Sequence, residues 1–368
     1  MRESARRGAA TGTETKNKRA ANLRLATGSV RVIGVLGAGA IGGYVGGRLA
    51  QSGLDVTLIG RGAAIEELAQ HGLSLVSLDG KASQVGAPRL TATSDARALG
   101  KCDVVLLAMK LGDLTAALST VDELAPKRAL IVTLQNGVDA MDEAAARFGA
   151  ERVAAGMVSF NVVRGERPNE LAQKTSGPVV LAGRDGRARD LVRALVRAGA
   201  VARTHDDMRG VLWSKLVYNL NNAINALSRL PLRAEVADRG YRRVFAAAMA
   251  EGLAVARARG VRARWVPPLM PHLAVRVLPL NDAIFVRVAR AMVRIDPAAR
   301  SSMQDDLLRG RITEVDALNG AVARHGARVG VATPVNSALV RLVHEAERAG
   351  ADYTALSADA LGAACGCR

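Results

Sequence analysis

The chain has 368 residues, of which 49% are hydrophobic and 23% charged, enough for two domains with separate cores. Its longest uncharged stretch, residues 32–47, is shorter than the roughly 20 apolar residues of a membrane helix, which excludes an integral membrane protein. The net charge of +17 suggests nucleic acid. However, aromatic residues reach only 3% and the arginines are scattered, so we expect a solvated basic surface and no nucleic-acid partner.

Both ends of the chain are expected to be tails. Residues 1–29 are basic and show no apolar period, which predicts a disordered tail. Of three cysteines, Cys102 abuts an apolar strand and is predicted to be a buried thiol. Cys365 and Cys367 fall in a predicted C-terminal tail, residues 351–368, with no partner cluster for a metal. This cysteine usage fits a cytoplasmic protein.

A glycine-rich turn follows the first apolar run. It reads Gly37-Ala38-Gly39-Ala40-Ile41-Gly42 and continues into a segment that can form a helix. In a strand-turn-helix context, such glycines permit the turn, the approach of a diphosphate and close packing of helix on strand. The sequence therefore predicts a dinucleotide site at this turn.

Residues 30–205 alternate strand and helix patterns, as in a parallel α/β sheet of Rossmann type. Residues 72–93 instead suggest short antiparallel strands inserted at the sheet edge. The second strand, residues 55–59, ends in Gly60-Arg61, where an NAD site usually carries a carboxylate. An arginine there favours the 2′-phosphate of NADP(H), although Arg61 could also be an ordinary surface residue.

Two polar residues follow neighbouring predicted strands. Lys110 ends the run Ala108-Met109-Lys110, and Asn136 stands in Leu134-Gln135-Asn136-Gly137. Ligands of open α/β sheets lie beyond the carboxyl ends of strands. Either residue alone could belong to a turn, but together they indicate a site.

Strand patterns stop near residue 206, so residues 206–350 are predicted to form an all-α second domain. Its first helix, residues 210–229, would place Lys215, Asn219 and Asn222 on one face. A lysine and two carboxamides on an apolar helix need partners, which either a functional cleft or a structural hydrogen-bond network could supply. A further helix is predicted over residues 303–324, with Ser302 as a candidate N-cap and Glu314 at its middle.

These ordered motifs resemble the ketopantoate reductase family, the NADPH-dependent 2-dehydropantoate 2-reductases. The resemblance runs from about residue 30 to residue 345. Besides the glycine turn, Arg61 and the two strand ends, it includes Trp213-Ser214-Lys215-Leu216, Ser301-Ser302-Met303-Gln304-Asp305 and Thr313-Glu314-Val315-Asp316.

The resemblance implies a role for each matching residue. Lys215 would be the general acid, and Glu314 would help to hold both cofactor and lysine. Lys110 and Asn136 would contact the nicotinamide-ribose end of the cofactor, while Asn219 and Ser302 would bind the 2-keto acid. Asn136 would also bind the substrate.

The chain departs from the family where a second substrate asparagine often stands, because that position is Ala223. Asn222 could replace it, and Arg233 could clamp a carboxylate. The expected reaction is NADPH-dependent reduction of 2-dehydropantoate to pantoate in pantothenate synthesis. The alternatives are a related reductase with another 2-keto or hydroxy acid, and a non-catalytic NADPH-sensing or nucleic-acid-binding protein. A helical second domain can also form a homodimer, which the sequence does not decide.

Overall fold

The computed structural model describes residues 30–167, 169–264, 269–288 and 298–367. The predicted basic tail, residues 1–29, lies outside this range. The described chain divides into two compact units. The Rossmann unit contains the residues up to Met109, Asp113–Leu134 and Ala144–Asp206. The helical unit contains Lys110–Gly112, Gln135–Glu143 and the chain from Asp207 onward.

The strands belong to the Rossmann unit. In chain order they are β1 (Val32–Leu36), β2 (Asp55–Ile59), β3 (Leu73–Val76), β4 (Ala82–Val85), β5 (Leu90–Thr93), β6 (Val104–Leu107), β7 (Leu130–Thr133), β8 (Val153–Val158), β9 (Val162–Arg164), β10 (Glu170–Gln173), β11 (Val179–Ala182) and β12 (Ala202–His205).

The main sheet has eight strands in the order β12-β11-β8-β7-β6-β1-β2-β5. Six adjacent strands, in the order β5-β2-β1-β6-β7-β8, run parallel to one another. This is the doubly wound Rossmann order, in which the succession of strands reverses between β1 and β6. At this centre, Val35 of β1 lies between Leu58 of β2 and Leu106 of β6. Every residue of β6 and β7 is buried, as expected for parallel strands covered on both faces. The predicted fold class is confirmed.

The prediction for residues 72–93 was wrong in part. β3 and β4 do pair antiparallel, but they belong to a separate four-stranded sheet of order β4-β3-β10-β9. β5 is instead a parallel edge strand of the main sheet, paired with β2. The error arose because β3 pairs with β10, about a hundred residues away, which local patterns do not reveal.

The described helices are α1 (Ala40–Gln51), α2 (Ala63–His71), α3 (Leu114–Leu124), α4 (Asp139–Phe148), α5 (Gly186–Arg197), α6 (Met208–Asn219), α7 (Asn221–Ser228), α8 (Leu232–Ala237), α9 (Arg239–Ala258), α10 (Pro271–Val277), α11 (Asp282–Val288), α12 (Ser302–Leu308), α13 (Asn319–Val329), α14 (Pro334–Ala349) and α15 (Ala358–Ala364). None of them is long and apolar enough to cross a membrane.

The long helix α9 organises the core of the helical unit. Its buried apolar residues recur at helical spacing and include Val244, Phe245, Ala248, Met249 and Val255, so one continuous stripe faces the core. Helices α6, α7, α13 and α14 pack against α9. The unit therefore has its own hydrophobic core.

Two predicted helices are each interrupted. The helix predicted over 210–229 is α6 followed by α7, with a turn at Leu220. The helix predicted over 303–324 ends at Leu308, and α13 begins only at Asn319. Gly310 between them has φ +61°, a left-handed conformation that glycine adopts readily and a helix excludes. Glu314 therefore stands in a loop and not within a helix.

The C-terminal segment is not a frayed tail. Tyr353 is 2% exposed, and its hydroxyl donates to the Ala226 carbonyl at 2.5 Å. Helix α15 packs on α9 and buries Leu361 completely. A few apolar residues spaced along a short segment are enough to dock it, although their pattern is too sparse to predict a helix. Cys365 is also buried, and the predicted burial of Cys102 is confirmed.

Candidate active site

The glycine-rich turn lies between β1 and α1 and has the shape of a phosphate-binding loop. Gly37 has φ +104°, and a Cβ there would lie 2.6 Å from the Met109 nitrogen. A Cβ on Gly42 would lie 2.1 Å from the Gly37 carbonyl oxygen, so larger residues would force β1 and α1 apart. A Cβ on Gly39 would meet no atom within 4 Å. The backbone at Gly39 is therefore open to a ligand.

The first turn of α1 favours an anion. Gly39 is the N-cap, no side chain caps the helix, and its first turn carries no acidic residue. Free N–H groups and the positive end of the helix dipole then point toward any bound phosphate. The predicted cofactor residues Ala38, Ala40 and Ile41 are half-buried in this turn. These residues fit the diphosphate of a dinucleotide.

Arg61 follows β2 and is the second feature that fits a phosphate. Its side chain is 88% exposed, and the Asp113 carboxylate lies 3.7 Å from Nη2. Such an exposed pair is weak, at roughly 0–1 kcal/mol, so a doubly charged phosphate could displace Asp113. No carboxylate stands at the end of β2, residues 59–62, where an NAD site would place one.

The helical unit brings three of the predicted residues into direct contact. The Lys215 ammonium donates to Oδ1 of Asn136 at 2.9 Å. The same carboxamide donates through Nδ2 to Oε2 of Glu314 at 3.0 Å. The amide orientation follows from its partners, because a flipped amide would turn its N–H groups toward the ammonium. These three residues form what we call the Lys-Asn-Glu chain.

Burial prepares Lys215 to release a proton. Desolvation disfavours the ammonium and lowers the pKa of Lys215 to about 8, although the nearby Glu314 carboxylate acts in the opposite direction. At neutral pH the side chain is still charged, yet it gives up its proton far more readily than an exposed lysine. The Lys-Asn-Glu chain thus contains an ammonium group of lowered pKa.

Lys110 reaches a different part of the helical unit. Its ammonium donates to the Asp306 carboxylate at 2.9 Å and to the Ile312 carbonyl at 3.1 Å. Sequence reasoning missed Asp306, because this residue fitted no motif. No periodicity links positions 110 and 306, so only the fold reveals this pair.

The predicted substrate residues are distributed over several elements. Asn219 ends α6, one turn after Lys215, whereas Asn222 lies on α7 because the predicted continuous helix is broken. Among the described residues, the side chains of Asn219 and Asn222 make no hydrogen bond, so both remain available to a ligand. The predicted single helix is thus divided between α6 and α7 at Leu220, a residue that itself keeps right-handed helical dihedrals (φ −59°, ψ −23°).

Ser302 and Arg233 are both exposed. Ser301, not Ser302, is the N-cap of α12, since its hydroxyl accepts from the Gln304 N–H at 3.1 Å. Ser302 is thereby free of a capping role. Arg233 lies on α8 and makes no hydrogen bond or ion pair with the Lys-Asn-Glu chain in the described structure. The described residues also contain no group of three or more candidate metal ligands.

Comparison with known proteins assigns this architecture to the oxidoreductases. Residues 33–186 match the family model of ketopantoate reductase PanE/ApbA, and residues 207–347 match the model of its C-terminal part. The 2-dehydropantoate 2-reductase of Mesorhizobium japonicum is 33% identical over 84% of this chain and 96% of its own length. The chain therefore belongs to the ketopantoate reductase family, and it is an oxidoreductase of the 2-dehydropantoate 2-reductase type.

Solved structures share the fold. The crystal structure of a PanE/ApbA family ketopantoate reductase from Ralstonia eutropha matches with a TM-score of 0.74 and 32% identity, over 86% of this chain and 99% of that one. A D-mandelate dehydrogenase with NADH and anilino(oxo)acetate matches with a TM-score of 0.72 at 24% identity, over the same shares. The second likeness concerns the fold alone.

Proposed function

We propose that the protein reduces 2-dehydropantoate to pantoate with NADPH as the hydride donor, in the route to pantothenate. The observation that carries the proposal is the Lys-Asn-Glu chain, in which a buried ammonium of lowered pKa is held by a carboxamide and a carboxylate. The family assignment supports the same reaction type. An open glycine turn and the exposed Arg61 support the cofactor.

The chemistry assigned to the residues follows from charge. Reduction at C2 of a keto acid develops negative charge on the carbonyl oxygen, and Lys215 neutralises it by donating its proton. Bound NADPH supplies the hydride to the carbonyl carbon. Asn136 directs the ammonium through its Oδ1 atom, while Glu314 holds the other end of that carboxamide. Positioned acid catalysis of this kind contributes about 10²- to 10⁴-fold.

The remaining residues would bind the two ligands. Gly37 to Gly42 would hold the diphosphate and Arg61 the 2′-phosphate, while Lys110, Asn136 and Glu314 would contact the nicotinamide-ribose end. Asn219, Asn222, Ser302 and Arg233 would bind the keto acid and its carboxylate. The polar side chains of Asn219 and Asn222 have no hydrogen-bond partner among the described residues, which supports this assignment.

A second candidate is a reductase of a different 2-keto or hydroxy acid. The observation that favours it is Ala223, a fully buried residue of α7 at the position where the family often has a substrate asparagine. A shape change at one contact can redirect specificity while the reaction type is kept.

A panel of 2-keto acids separates these two candidates. NADPH absorbance would be followed with 2-dehydropantoate, pyruvate, 2-oxoisovalerate and phenylglyoxylate as substrates. We expect kcat/KM to be at least about tenfold higher for 2-dehydropantoate than for 2-oxoisovalerate, which lacks its hydroxymethyl group, in line with the discrimination that small groups give in a fitted pocket. A higher value for another acid would establish the second candidate, and no NADPH oxidation with any acid would refute both.

Assembly and location are further proposals. A dimeric ketopantoate reductase from Staphylococcus aureus shares the fold with a TM-score of 0.65, and light scattering would show whether this chain also forms a homodimer. Its three cysteines are all free, which supports a location in the reducing cytoplasm.

A further inference from the structure

Asn136 stands in a short segment, Gln135–Glu143, that follows β7 and belongs to the helical unit. Three residues after Asn136, Asp139 is held from two sides. Its Oδ1 atom accepts from Nε2 of His325 at 2.6 Å, and its Oδ2 atom accepts from Nη2 of Arg324 at 2.8 Å. Each carboxylate oxygen therefore has a partner of its own on α13.

The contact between Asp139 and His325 is largely shielded from water, whereas the Arg324 side chain is 46% exposed. The Asp139 side chain is 16% exposed and the His325 side chain 4%. Burial raises the pKa of Asp139, but the hydrogen bonds from His325 and Arg324 outweigh it and leave this pKa below the ordinary value. Asp139 is consequently ionised at neutral pH, and its two hydrogen bonds are charge-assisted and strong.

His325 extends the connection to the helix that carries Lys215. Its ring lies 5.7 Å from the ring of Trp213, centroid to centroid. Trp213 is 3% exposed and precedes Lys215 by two residues on α6. The guanidinium of Arg259, the residue that follows α9, contacts Nδ1 of the His325 ring. Asp139 is thus joined to a packed part of the helical unit and not to a mobile surface side chain.

The backbone between Asn136 and Asp139 has little freedom to absorb a shift. A Cβ on Gly137 would lie 2.8 Å from the Ala317 carbonyl oxygen, so this stretch packs directly on the turn after Glu314. The hydrogen bonds of Asn136 are 2.9 and 3.0 Å long. They weaken steeply once the segment moves, and misplacement by about 1 Å can cost on the order of 10² in rate.

We propose that Asp139 is a positioning residue, which fixes the Gln135–Glu143 segment to α13 and thereby holds the Asn136 carboxamide between Lys215 and Glu314. The inference rests on the proposed function, in which Lys215 is the proton donor. Asp139 touches neither substrate nor cofactor in this scheme and acts only through Asn136.

Asp142 offers a matched control on the same segment. Its carboxylate pairs with Arg209 of α6 at 2.6 Å and lies 3.7 Å from Nη2 of Arg259, and the Asp142 side chain is 37% exposed. An exposed ion pair contributes roughly 0–1 kcal/mol. We expect Asp142→Asn to change kcat by less than about twofold, because loss of so weak a pair leaves the segment in place.

The test is a double-mutant cycle between Asp139 and Asn136. Asp139→Asn keeps the side-chain shape but removes the charge, and we expect it to lower kcat about 10- to 100-fold. We expect KM for NADPH to change less than about twofold. In an Asn136→Ala background the same substitution should have almost no further effect on kcat, since the residue through which it acts is gone. Equal losses in both backgrounds, or a wild-type kcat for Asp139→Asn, would overturn the inference.

A readout independent of turnover separates this inference from the proposed function. The pH dependence of Lys215 acetylation, followed by mass spectrometry, reports the pKa of that amine. Loss of the Asn136 acceptor should lower this pKa in Asp139→Asn, in Asn136→Ala and in the double variant alike. An unchanged midpoint in Asp139→Asn refutes the inference even if no keto acid is reduced. His325→Leu removes the buried partner of Asp139 and should shift the midpoint in the same direction, which gives a second test should Asp139→Asn fail to fold.

Discussion

The pH dependence of turnover is the most direct test of the assignment of Lys215. Burial lowers the pKa of this lysine from the ordinary 10.5 to about 8. The proton that Lys215 donates is therefore present below pH 8 and lost above it. An exposed lysine with the ordinary pKa of 10.5 would keep its proton well above pH 8. The pH at which turnover begins to fall therefore distinguishes a lysine of lowered pKa from an ordinary one.

The magnitude follows from the fraction of ammonium. With a pKa of about 8, roughly nine tenths of the enzyme carries the proton at pH 7 and about one tenth at pH 9. At saturating substrate, kcat for reduction should fall about tenfold per pH unit above 8. Lys215→Ala should lose about 10²- to 10⁴-fold of turnover at pH 7 and should lack this limb, while NADPH affinity barely changes.

The assay is initial-rate NADPH oxidation between pH 6 and 10, with the fluorescence of bound NADPH as the measure of affinity. Lys127→Ala is the control, because Lys127 is an exposed lysine paired with Asp122 and should leave both rate and profile unaltered. A turnover number that stays constant up to pH 10, or one that is unaffected in Lys215→Ala, would refute the role of Lys215 as the acid.

Three more outcomes are expected from the structure. Arg61→Ala should raise KM for NADPH by about 10- to 100-fold, the worth of one charge-assisted hydrogen bond, and leave KM for NADH nearly unchanged; equal effects in both assays would show that Arg61 does not read the phosphate. Arg242 is 1% exposed and donates to the Leu278 carbonyl at 2.8 Å and to the Val236 carbonyl at 3.0 Å. Arg242→Met leaves both buried carbonyls without a donor and should lower the free energy of unfolding, measured by urea titration, by about 2–6 kcal/mol; a loss below about 1 kcal/mol would contradict this. Burial raises the pKa of Glu235 from 4.5 to about 8, so the native state favours its neutral form and the free energy of unfolding falls as pH rises from 4.5 to 8. Glu235→Gln removes this dependence, and its gain in stability over wild type should therefore increase with pH in that window. A difference that stays constant with pH would contradict the reasoning.

Local sequence rules were sufficient for the first part of the fold. Residues within a few positions of one another determine three features: the glycine turn, the buried runs of β6 and β7, and the Gly60-Arg61 sequence that follows β2. The steric demands at Gly37 and Gly42 explain why that pattern is specific. For the same reason the candidate residues at this turn are predictable from the local sequence.

Other features depend on contacts that no local rule contains. The small sheet joins β3 to β10, and the break at Leu220 follows no glycine or proline. The side chains of Asn221 and Asn225 on α7 donate hydrogen bonds to the carboxylate of the buried Glu235, at 3.0 and 3.3 Å. The apolar period over residues 303–324 concealed the left-handed Gly310. For the small sheet, a long-range partner prevailed over the local pattern.

The candidate site shows the same division between residue identity and residue environment. Strand-end position and helical spacing indicated Asn136 and Lys215, and resemblance to a family supplied their roles and that of Glu314. The sequence could not state that one carboxamide bridges the other two. That bridge exists because the segment after β7 belongs to the helical unit and is fixed there through Asp139. Burying an ammonium is costly, and the Asn136 carboxamide stabilises the charge of Lys215 by accepting a hydrogen bond from it. With a pKa of about 8, the Lys215 ammonium keeps its proton at neutral pH and, in the proposed reaction, can transfer it to the carbonyl oxygen of the substrate.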